Sequence, residues 1–471
     1  MLTLFPSSLW KQSLSRRQAL RMAALAGGAA LPHTVAQAAE EHGIERERAT
    51  AKRCIFLFLC GGPSQPDLWD LKLDAPSGVR TIFSPVQTNV PGTLFSELIP
   101  DVARHADKLA LIRSMTHSNN DHNGAIAHSL HGQLPARPGE VYVARDDHPG
   151  LGAILHRTLG ASGALPPWVV LPRPFTTVSP PYKGQSGGFL GPKYDPIAFD
   201  KEKKGSLSDA PLRFDAMTLV DGISHDRLSR RQQLRRSIDA HPESARGWQN
   251  VYTQADELLT SESIRKAFDL EQEPAALRDR YGRNEYGQSL LMARRLVESG
   301  VRMVNVFWTF FDAKGCQFNL WDNHGVASDV CGVDGQLTGI QQLTHAYCTP
   351  SFNKSFPALL SDLEERGLLD DTLVVVSGEF GRTPKINPTS GRDHWAHCYT
   401  QLLAGGGVRG GAIYGASDSQ GAYVKDLPVT PDDFSATVLH AFGVTPEAAV
   451  PELTGRPVRV TTGIPVTAIF G

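Results

Sequence analysis

The chain has 471 residues, 41% of them hydrophobic and 20% charged, which is the composition of a globular protein with a large buried core. Its formal net charge is −2, so nucleic acid is an unsuitable partner, because binding a phosphate backbone requires a basic surface. The six cysteines include no C-x-x-C pair, so a zinc ribbon is not indicated.

The first 38 residues have the three parts of an export signal. A twin-arginine pattern, SRRQAL at residues 15–20, precedes an apolar run at residues 22–31 and an A-x-A cleavage site at residues 36–38. We predict a twin-arginine signal peptide over residues 1–38 and a linker over residues 39–52. The mature protein would then be periplasmic or extracellular. A basic amphipathic surface helix is the alternative.

Removal of this segment would take away four basic and no acidic residues, changing the formal net charge from −2 to −6. No later apolar run approaches the roughly twenty residues that cross a bilayer, so we expect no membrane span after signal removal. Because the twin-arginine route carries folded proteins, a metal ion could be bound before export.

Apolar runs and amphipathic stretches alternate along the remaining chain. Runs that are typical of buried strands lie at residues 54–60, 109–113, 301–307 and Thr372–Ser377. Helical patterns at residues 287–300 and 356–366 precede two of these runs. Since parallel strands require helical crossovers, we predict one α/β domain over residues 53–471. Its sheet would be mainly parallel and doubly wound, with helices on both faces. The charged stretch at about residues 200–285 predicts a helical insertion.

Polar side chains follow each predicted strand, where ligands bind in an open α/β sheet. The segment after the second strand leads into a helix whose N-terminus would favour an anion. In this segment His117 and His122 are the histidines that we favour for function. The candidates after the four strands are, in chain order, Asp67, then Thr116, His117 and Ser118, then Asp322 and His324, then Glu379, Arg382, Asp393 and His394.

Carboxylate and imidazole ligands in this mixture suit zinc, calcium, magnesium or manganese. One or two such ions beside a hydroxyl group would serve the transfer of a phosphoryl or sulfuryl group. The alternative is structural. Glu379 and Arg382 would then form an ordinary ion pair, and Asp393 and His394 would belong to a solvated turn.

Seven motifs carry a resemblance to a known family: GGPSQPD, RSMTH, GGFLG, ARRLVESGVR, WDNHG, GEFGRTPKIN and GRDHW. Together they resemble the bacterial family called domain of unknown function 1501, and the resemblance covers essentially the whole mature chain. That family is similar to a branch of the alkaline phosphatase and sulfatase superfamily. The resemblance implies a doubly wound α/β sandwich and a metal-dependent hydrolase of sulfate or phosphate esters.

Carried over by position, the resemblance places a nucleophile at Thr116 or Ser118. The metal ligands that it implies are Asp67, Asp322, His324, either Glu379 or Asp393, and His394. His117 and Arg382 are further catalytic candidates from the sequence itself.

The sequence departs from the superfamily at three points. The loop after the first strand reads GGPSQPD where the superfamily has an Asp almost at the strand end, which leaves the role of Asp67 in question. Glu379 stands where an Asp-His pair is expected, which leaves the second metal in question. No Cys or Ser at the helix start lies in the C-x-P-x-R form that sulfatases convert to formylglycine. Two functions therefore stay open. The first is an exported hydrolase of an unknown small-molecule or polysaccharide ester. The second is a non-catalytic relative that binds a surface polymer or a partner protein.

The signal peptide is tested by replacing both arginines of the SRRQAL pattern, Arg16→Lys with Arg17→Lys. We expect the protein to stay in the cytoplasm, measured by immunoblotting of periplasmic and cytoplasmic fractions, because the export machinery recognises the pair. Arg21→Lys, outside the pair, is the control. Unchanged periplasmic accumulation of the double variant would show that residues 15–20 are not a twin-arginine signal.

Overall fold

The structure is a computed structural model, and it describes residues 48–133, 140–161, 165–176, 180–199, 202–214, 225–238, 261–325 and 337–471. The predicted signal peptide and residues 39–47 of the predicted linker lie outside these ranges. No helix in the described ranges is long and apolar enough to cross a membrane.

An eight-stranded sheet lies at the centre of the described chain. Its strands are β1 (Arg53–Leu59), β2 (Leu109–Met115), β3 (Trp168–Leu171), β4 (Ile197–Ala198), β5 (Met303–Trp308), β6 (Thr372–Ser377), β7 (Tyr399–Ala404) and β8 (Ile413–Tyr414). Their order across the sheet is β8-β2-β7-β6-β1-β5-β3-β4. Every pairing is parallel except those of β7, which runs antiparallel to both β6 and β2.

The prediction of one mainly parallel sheet is therefore confirmed. The four strands predicted from apolar runs are β1, β2, β5 and β6, and all belong to this sheet. The four strands are not all direct neighbours, because β7 lies between β2 and β6.

Helices and small strand pairs surround the sheet. The helices are α1 (Gln65–Leu68), α2 (Pro100–Ala103), α3 (His122–His131), α4 (Leu151–Leu159), α5 (His225–Ile238), α6 (Glu262–Ala267), α7 (Ala275–Tyr281), α8 (Glu285–Glu298), α9 (Gly339–Thr344), α10 (Thr349–Glu365) and α11 (Pro431–Ala441). The two-stranded pairs are Pro85–Gln87 with Leu94–Ser96, Phe310–Phe311 with Gln317–Phe318, Gly381–Arg382 with His394–Trp395, Ala416–Ser417 with Val424–Asp426, and Ala449–Pro451 with Pro457–Arg459.

The two faces of the sheet carry two separate apolar cores. Successive side chains of a strand point to opposite faces, so Ile55 and Leu57 alternate with Phe56 and Phe58 along β1. The first pair packs in a core with residues of α8 and α10, and the second in a core with residues of α3, α4 and α11. Helices thus cover both faces, which confirms the doubly wound α/β class.

The predicted helical insertion at about residues 200–285 is described in part. It contains α5, α6 and α7, whereas residues 215–224 and 239–260 lie outside the described ranges. Ile264 of α6 and the following Phe268 belong to the same core as α8 and α10. The described part therefore packs on the domain, and its origin as an insertion stays a prediction.

Leu57 in β1 is fully buried between the sheet and its covering helices. We expect Leu57→Ala to lower the free energy of unfolding by about 2–5 kcal/mol, because a cavity replaces packed side-chain atoms. Leu453→Ala, at a side chain that is 74% exposed, should change it by less than about 0.5 kcal/mol. Denaturant unfolding followed by circular dichroism measures both. Equal effects would contradict the central position of β1.

Candidate metal centre

The candidate residues lie where β1, β2, β5 and β6 end and where β7 begins, which is one edge of the sheet. Gly61, directly after β1, has φ +119°, and a Cβ atom there would lie 2.5 Å from the backbone nitrogen of Asp322. The loop after β1 therefore packs directly against the loop after β5. A side chain at Gly61 would separate the two loops.

The carboxylate of Asp322 is the centre of this site. Its Oδ1 lies 3.0 Å from Nε2 of His394 and 2.5 Å from a guanidinium nitrogen of Arg382. Its Oδ2 lies 3.0 Å from Nε2 of His122 and 3.1 Å from Nε2 of His324. Burial alone would raise the pKa of Asp322, but the charge of Arg382 and the hydrogen bonds from the histidines hold that pKa well below its usual range. Asp322 is therefore ionised.

Each of the three histidines also has its other ring nitrogen, Nδ1, against an acceptor oxygen. These acceptors are Oε1 of Glu379 at 2.8 Å from His122, the Gly325 carbonyl at 2.9 Å from His324, and the Asn120 carbonyl at 2.9 Å from His394. Carbonyl and carboxylate oxygens only accept hydrogen bonds, so each Nδ1 carries a proton. In a neutral ring, Nε2 is then an unprotonated nitrogen that faces Asp322.

A cation between the Nε2 atoms and Asp322 would give these nitrogens and the carboxylate a shared positive partner. Without one, an unprotonated Nε2 would set its lone pair against the lone pairs of the Asp322 carboxylate. Histidines that bind metals commonly donate their outer N–H to a carbonyl or carboxylate, as these three do. The residues present therefore fit a divalent cation.

Three ligand atoms are close enough to share one ion. One atom each from His122, Asp322 and His394 lies within 4.8 Å of the other two, and His324 adjoins them through Oδ2 of Asp322. Burial disfavours a charged ring at His122, yet its hydrogen bonds with Asp322 and Glu379 raise its pKa to about 10 when no metal is bound. The electrostatic field at this nitrogen therefore attracts positive charge, whether a proton or a metal ion.

Glu379 lies behind His122. Its Oε1 accepts hydrogen bonds from Nδ1 of His122 and from the backbone N–H of Gly61, both at 2.8 Å. Its Oε2 is buried and has no hydrogen-bond partner among the described residues. The sequence predicted Glu379 as a ligand, and the structure places it where it orients His122 through the outer ring nitrogen.

Arg382 is fully buried and ties the loops together. Its guanidinium donates to the carbonyls of Gly61, Gly62 and Trp321, in addition to its ion pair with Asp322. The loop after β6 is thereby joined to the loops after β1 and β5. The side chain predicted as catalytic is thus placed as a buried counter-charge to Asp322.

Asp67, predicted as a ligand, is paired with Arg392. Its Oδ2 lies 2.8 Å from Nε of Arg392 and its Oδ1 lies 3.0 Å from Nη2, and the Ser64 hydroxyl donates to Oδ2 at 2.6 Å. Both side chains are buried. The structure therefore engages the Asp67 carboxylate with a guanidinium and a hydroxyl, away from the contacts that the three histidines make with Asp322.

Asp393 is exposed, and its Oδ1 accepts a hydrogen bond from the side-chain amide of Asn387 at 2.9 Å. This bond shapes the loop between the strands Gly381–Arg382 and His394–Trp395. His394 reaches Asp322 from the same loop, so of these two predicted neighbours the structure brings only His394 to the histidine cluster.

The segment between β2 and α3 holds the predicted nucleophiles. Nε2 of His117 donates to the Glu379 carbonyl at 2.8 Å, while Nδ1 accepts from the backbone N–H of Asn119 at 3.1 Å. Burial lowers the pKa of His117 to about 4, so the ring is neutral at pH 7. The backbone N–H of Thr116 donates to the Val429 carbonyl, and Ser118 is exposed ahead of α3.

The family model described as Protein of unknown function (DUF1501) matches residues 51–470. The chain belongs to the DUF1501 family. This confirms the family predicted from the seven motifs.

Solved structures also resemble this DUF1501 protein at a distance. The PsFucS1 sulfatase from Pseudoalteromonas sp. is 12% identical with a TM-score of 0.37, and the similarity covers 87% of this chain and 70% of that chain. The phosphonate monoester hydrolase SpPMH from Silicibacter pomeroyi is 12% identical with a TM-score of 0.39, covering 89% and 76%. A protein in the alkaline phosphatase superfamily from Vibrio parahaemolyticus is 11% identical with a TM-score of 0.39, covering 85% and 69%. These similarities are too distant to assign a function or a site residue.

No curated protein sequence matches the chain.

Two residues of this DUF1501 protein matter more than the sequence indicated. His122 was a functional candidate at the strand-to-helix junction, but nothing in its spacing connected it with Asp322. Arg392 was overlooked. In the sequence Arg392 directly follows Gly391. In the structure a Cβ atom at Gly391 would lie 2.2 Å from the Asn323 carbonyl, so this part of the loop is packed inside the protein.

The ion pair of Asp67 and Arg392 predicts an asymmetric response to mutation. Asp67→Ala leaves the guanidinium buried without its carboxylate, so we expect a loss of about 3–5 kcal/mol in the free energy of unfolding. Asp67→Leu combined with Arg392→Met removes both charges and should lose less. Guanidinium chloride unfolding measures both variants. A double variant that is less stable than Asp67→Ala would contradict a simple buried pair.

Proposed function

We propose that this protein is an exported hydrolase that uses a divalent metal ion to cleave sulfate or phosphate esters. The proposal is carried by one observation, the three Nε2 atoms around Asp322 whose rings each hold a proton on Nδ1. Export rests on the sequence pattern of residues 15–38.

The ion would be held by His122, Asp322 and His394, with His324 as a fourth ligand. A set richer in imidazole than in carboxylate favours zinc or manganese over calcium and magnesium, which prefer oxygen ligands. When bound, such an ion acts as a Lewis acid that stabilises negative charge on the oxygens of a sulfuryl or phosphoryl group.

The protein supplies a second attraction for an anion through α3. His122 is the first residue of this helix, and Asp121 caps it by accepting a hydrogen bond from the backbone N–H of Gly124. The helix therefore begins at the candidate centre. Its N-terminal N–H groups and dipole favour a sulfate or phosphate group there.

The hydroxyl groups of Thr116 and Ser118 precede this helix start and are the candidate nucleophiles. In the proposed reaction one hydroxyl oxygen bonds to sulfur or phosphorus and releases its proton to solvent, while the bond to the ester oxygen breaks. The leaving alcohol takes a proton from solvent. Attack by water on the covalent ester then releases sulfate or phosphate and restores the hydroxyl.

A second candidate function is that of a non-catalytic binding protein. Arg382 favours it, because a guanidinium 2.5 Å from Asp322 can compensate the carboxylate without a metal ion. The two candidates differ in whether the purified chain uses a bound divalent ion to hydrolyse an ester.

Metal content and ester hydrolysis together decide between them. We expect wild type to hold about one divalent ion per chain by inductively coupled plasma mass spectrometry, and His394→Ala and His324→Ala to hold less, because each removes a ligand. His440→Ala on α11 is the matched control. The same samples are assayed with 4-nitrophenyl sulfate, 4-nitrophenyl phosphate and a phosphonate monoester.

We expect kcat/KM for at least one of these esters to fall about 100-fold in His394→Ala and to stay unchanged in His440→Ala. Equal metal content in wild type and both ligand variants would overturn the metal centre. Bound metal without hydrolysis of any of the three esters would favour the non-catalytic candidate.

A further inference from the structure

Three rings form a surface cluster beside the candidate metal centre. Trp395, His397 and Tyr423 make up this aromatic cluster, with ring centroids 4.9 Å apart for Trp395 and His397, 5.6 Å for Trp395 and Tyr423, and 5.7 Å for His397 and Tyr423. Tyr423 is 54% exposed. Nothing in the proposed metal chemistry uses these rings.

The loop that carries Tyr423 is held in place. The carboxylate of Asp418 accepts backbone N–H groups from Gln420 at 3.0 Å, Ala422 at 2.9 Å and Tyr423 at 3.1 Å. The indole N–H of Trp395 donates to the Ala422 carbonyl. The rings are therefore ordered before any ligand arrives, which reduces the entropy lost on binding.

The polar groups of the aromatic cluster limit what it can bind. The indole N–H is already used, so Trp395 can contact a ligand only through the carbon atoms of its ring. The ring nitrogens of His397 and the hydroxyl of Tyr423 have no hydrogen-bond partner within the described ranges, so they are available at the edges. The Asp418 carboxylate is engaged by three backbone N–H groups, which leaves it a weak partner for a cation.

A sugar ring matches this surface. One face of a pyranose presents C–H groups that stack on aromatic rings, and its hydroxyl groups point outward, where they can exchange hydrogen bonds with side chains at the edges. A quaternary ammonium group also binds aromatic rings, but it is favoured where a free carboxylate adds to the attraction.

We propose that the aromatic cluster binds a sugar unit, so that the ester cleaved at the metal centre is carried on a saccharide. The inference rests on the proposed function for the ester and on the cluster for the sugar. His394 and Trp395 are the two residues of one strand, whose successive side chains point to opposite faces. Ala396, between Trp395 and His397, accepts a hydrogen bond from the backbone N–H of His117 and donates its own N–H to the Asn120 side chain. The aromatic cluster is therefore attached to the segment that holds the candidate nucleophiles, and it shares no ligand with the metal centre.

The experiment measures saccharide binding separately from catalysis. Wild type is applied to an array of neutral, sulfated and phosphorylated oligosaccharides, and hits are quantified by titration calorimetry with and without EDTA. We expect at least one saccharide to bind. We expect Tyr423→Ala to weaken that binding about tenfold, the effect of losing one stacking ring.

Two further variants sharpen the result. Tyr423→Phe keeps the ring face and should retain most of the affinity, while Ile464→Ala, at another exposed apolar side chain, should bind like wild type. Absence of any bound saccharide, or equal affinity in wild type and Tyr423→Ala, would overturn the proposal. So would binding of choline that depends on Tyr423 in a protein that binds no saccharide.

The two proposals fail in different ways. Saccharide binding that persists in EDTA supports the aromatic cluster even if no ester is hydrolysed. If a saccharide ester is hydrolysed with the same KM by wild type and by Tyr423→Ala, the subsite is wrong and the hydrolase proposal stands.

Discussion

The buried negative charge of Asp322 is the constraint on which the functional edge of the sheet depends. A carboxylate removed from water must be compensated by nearby positive charge or by hydrogen bonds, and here the partners come from several separate parts of the chain. His122 opens α3, Arg382 follows β6, His394 precedes β7, and His324 lies in the same loop as Asp322. Each of these segments is therefore positioned relative to one carboxylate.

Two buried arginines extend this arrangement to the irregular backbone around it. Loops at the edge of a sheet leave carbonyl groups without the partners that helices and strands provide. Arg382 satisfies carbonyls after β1 and β5, and Arg392 satisfies those of Val79, Thr383 and Pro384. Asp67 balances the charge of Arg392. Long loops can therefore be buried at this edge, which gives the histidines fixed positions.

The sequence predicted the sheet well because a strand buried on both faces is mostly apolar, as residues 373–376 within Thr372–Ser377 are. It also predicted that Asp322 and His394 would meet, because loops at strand ends share an edge. It could not tell which side chains would contact each other within that edge. Asp67 and Glu379 are carboxylates in suitable loops, yet one lies against Arg392 and the other behind His122. Those choices depend on backbone paths of irregular loops, which leave no period in the sequence.

The reversed direction of β7 has a consequence for how this site can change. Because β6 ends and β7 begins at the same edge, residues 378–398 leave the sheet and return to it without a crossover helix. Glu379 stands at the departure and His394 near the return. Between them, the side chains of Asn387 and Thr389 donate hydrogen bonds to the His324 carbonyl at 2.8 and 2.6 Å. This one excursion of the chain therefore holds groups on both sides of Asp322, so a change of length in its middle would displace a candidate ligand in the neighbouring loop.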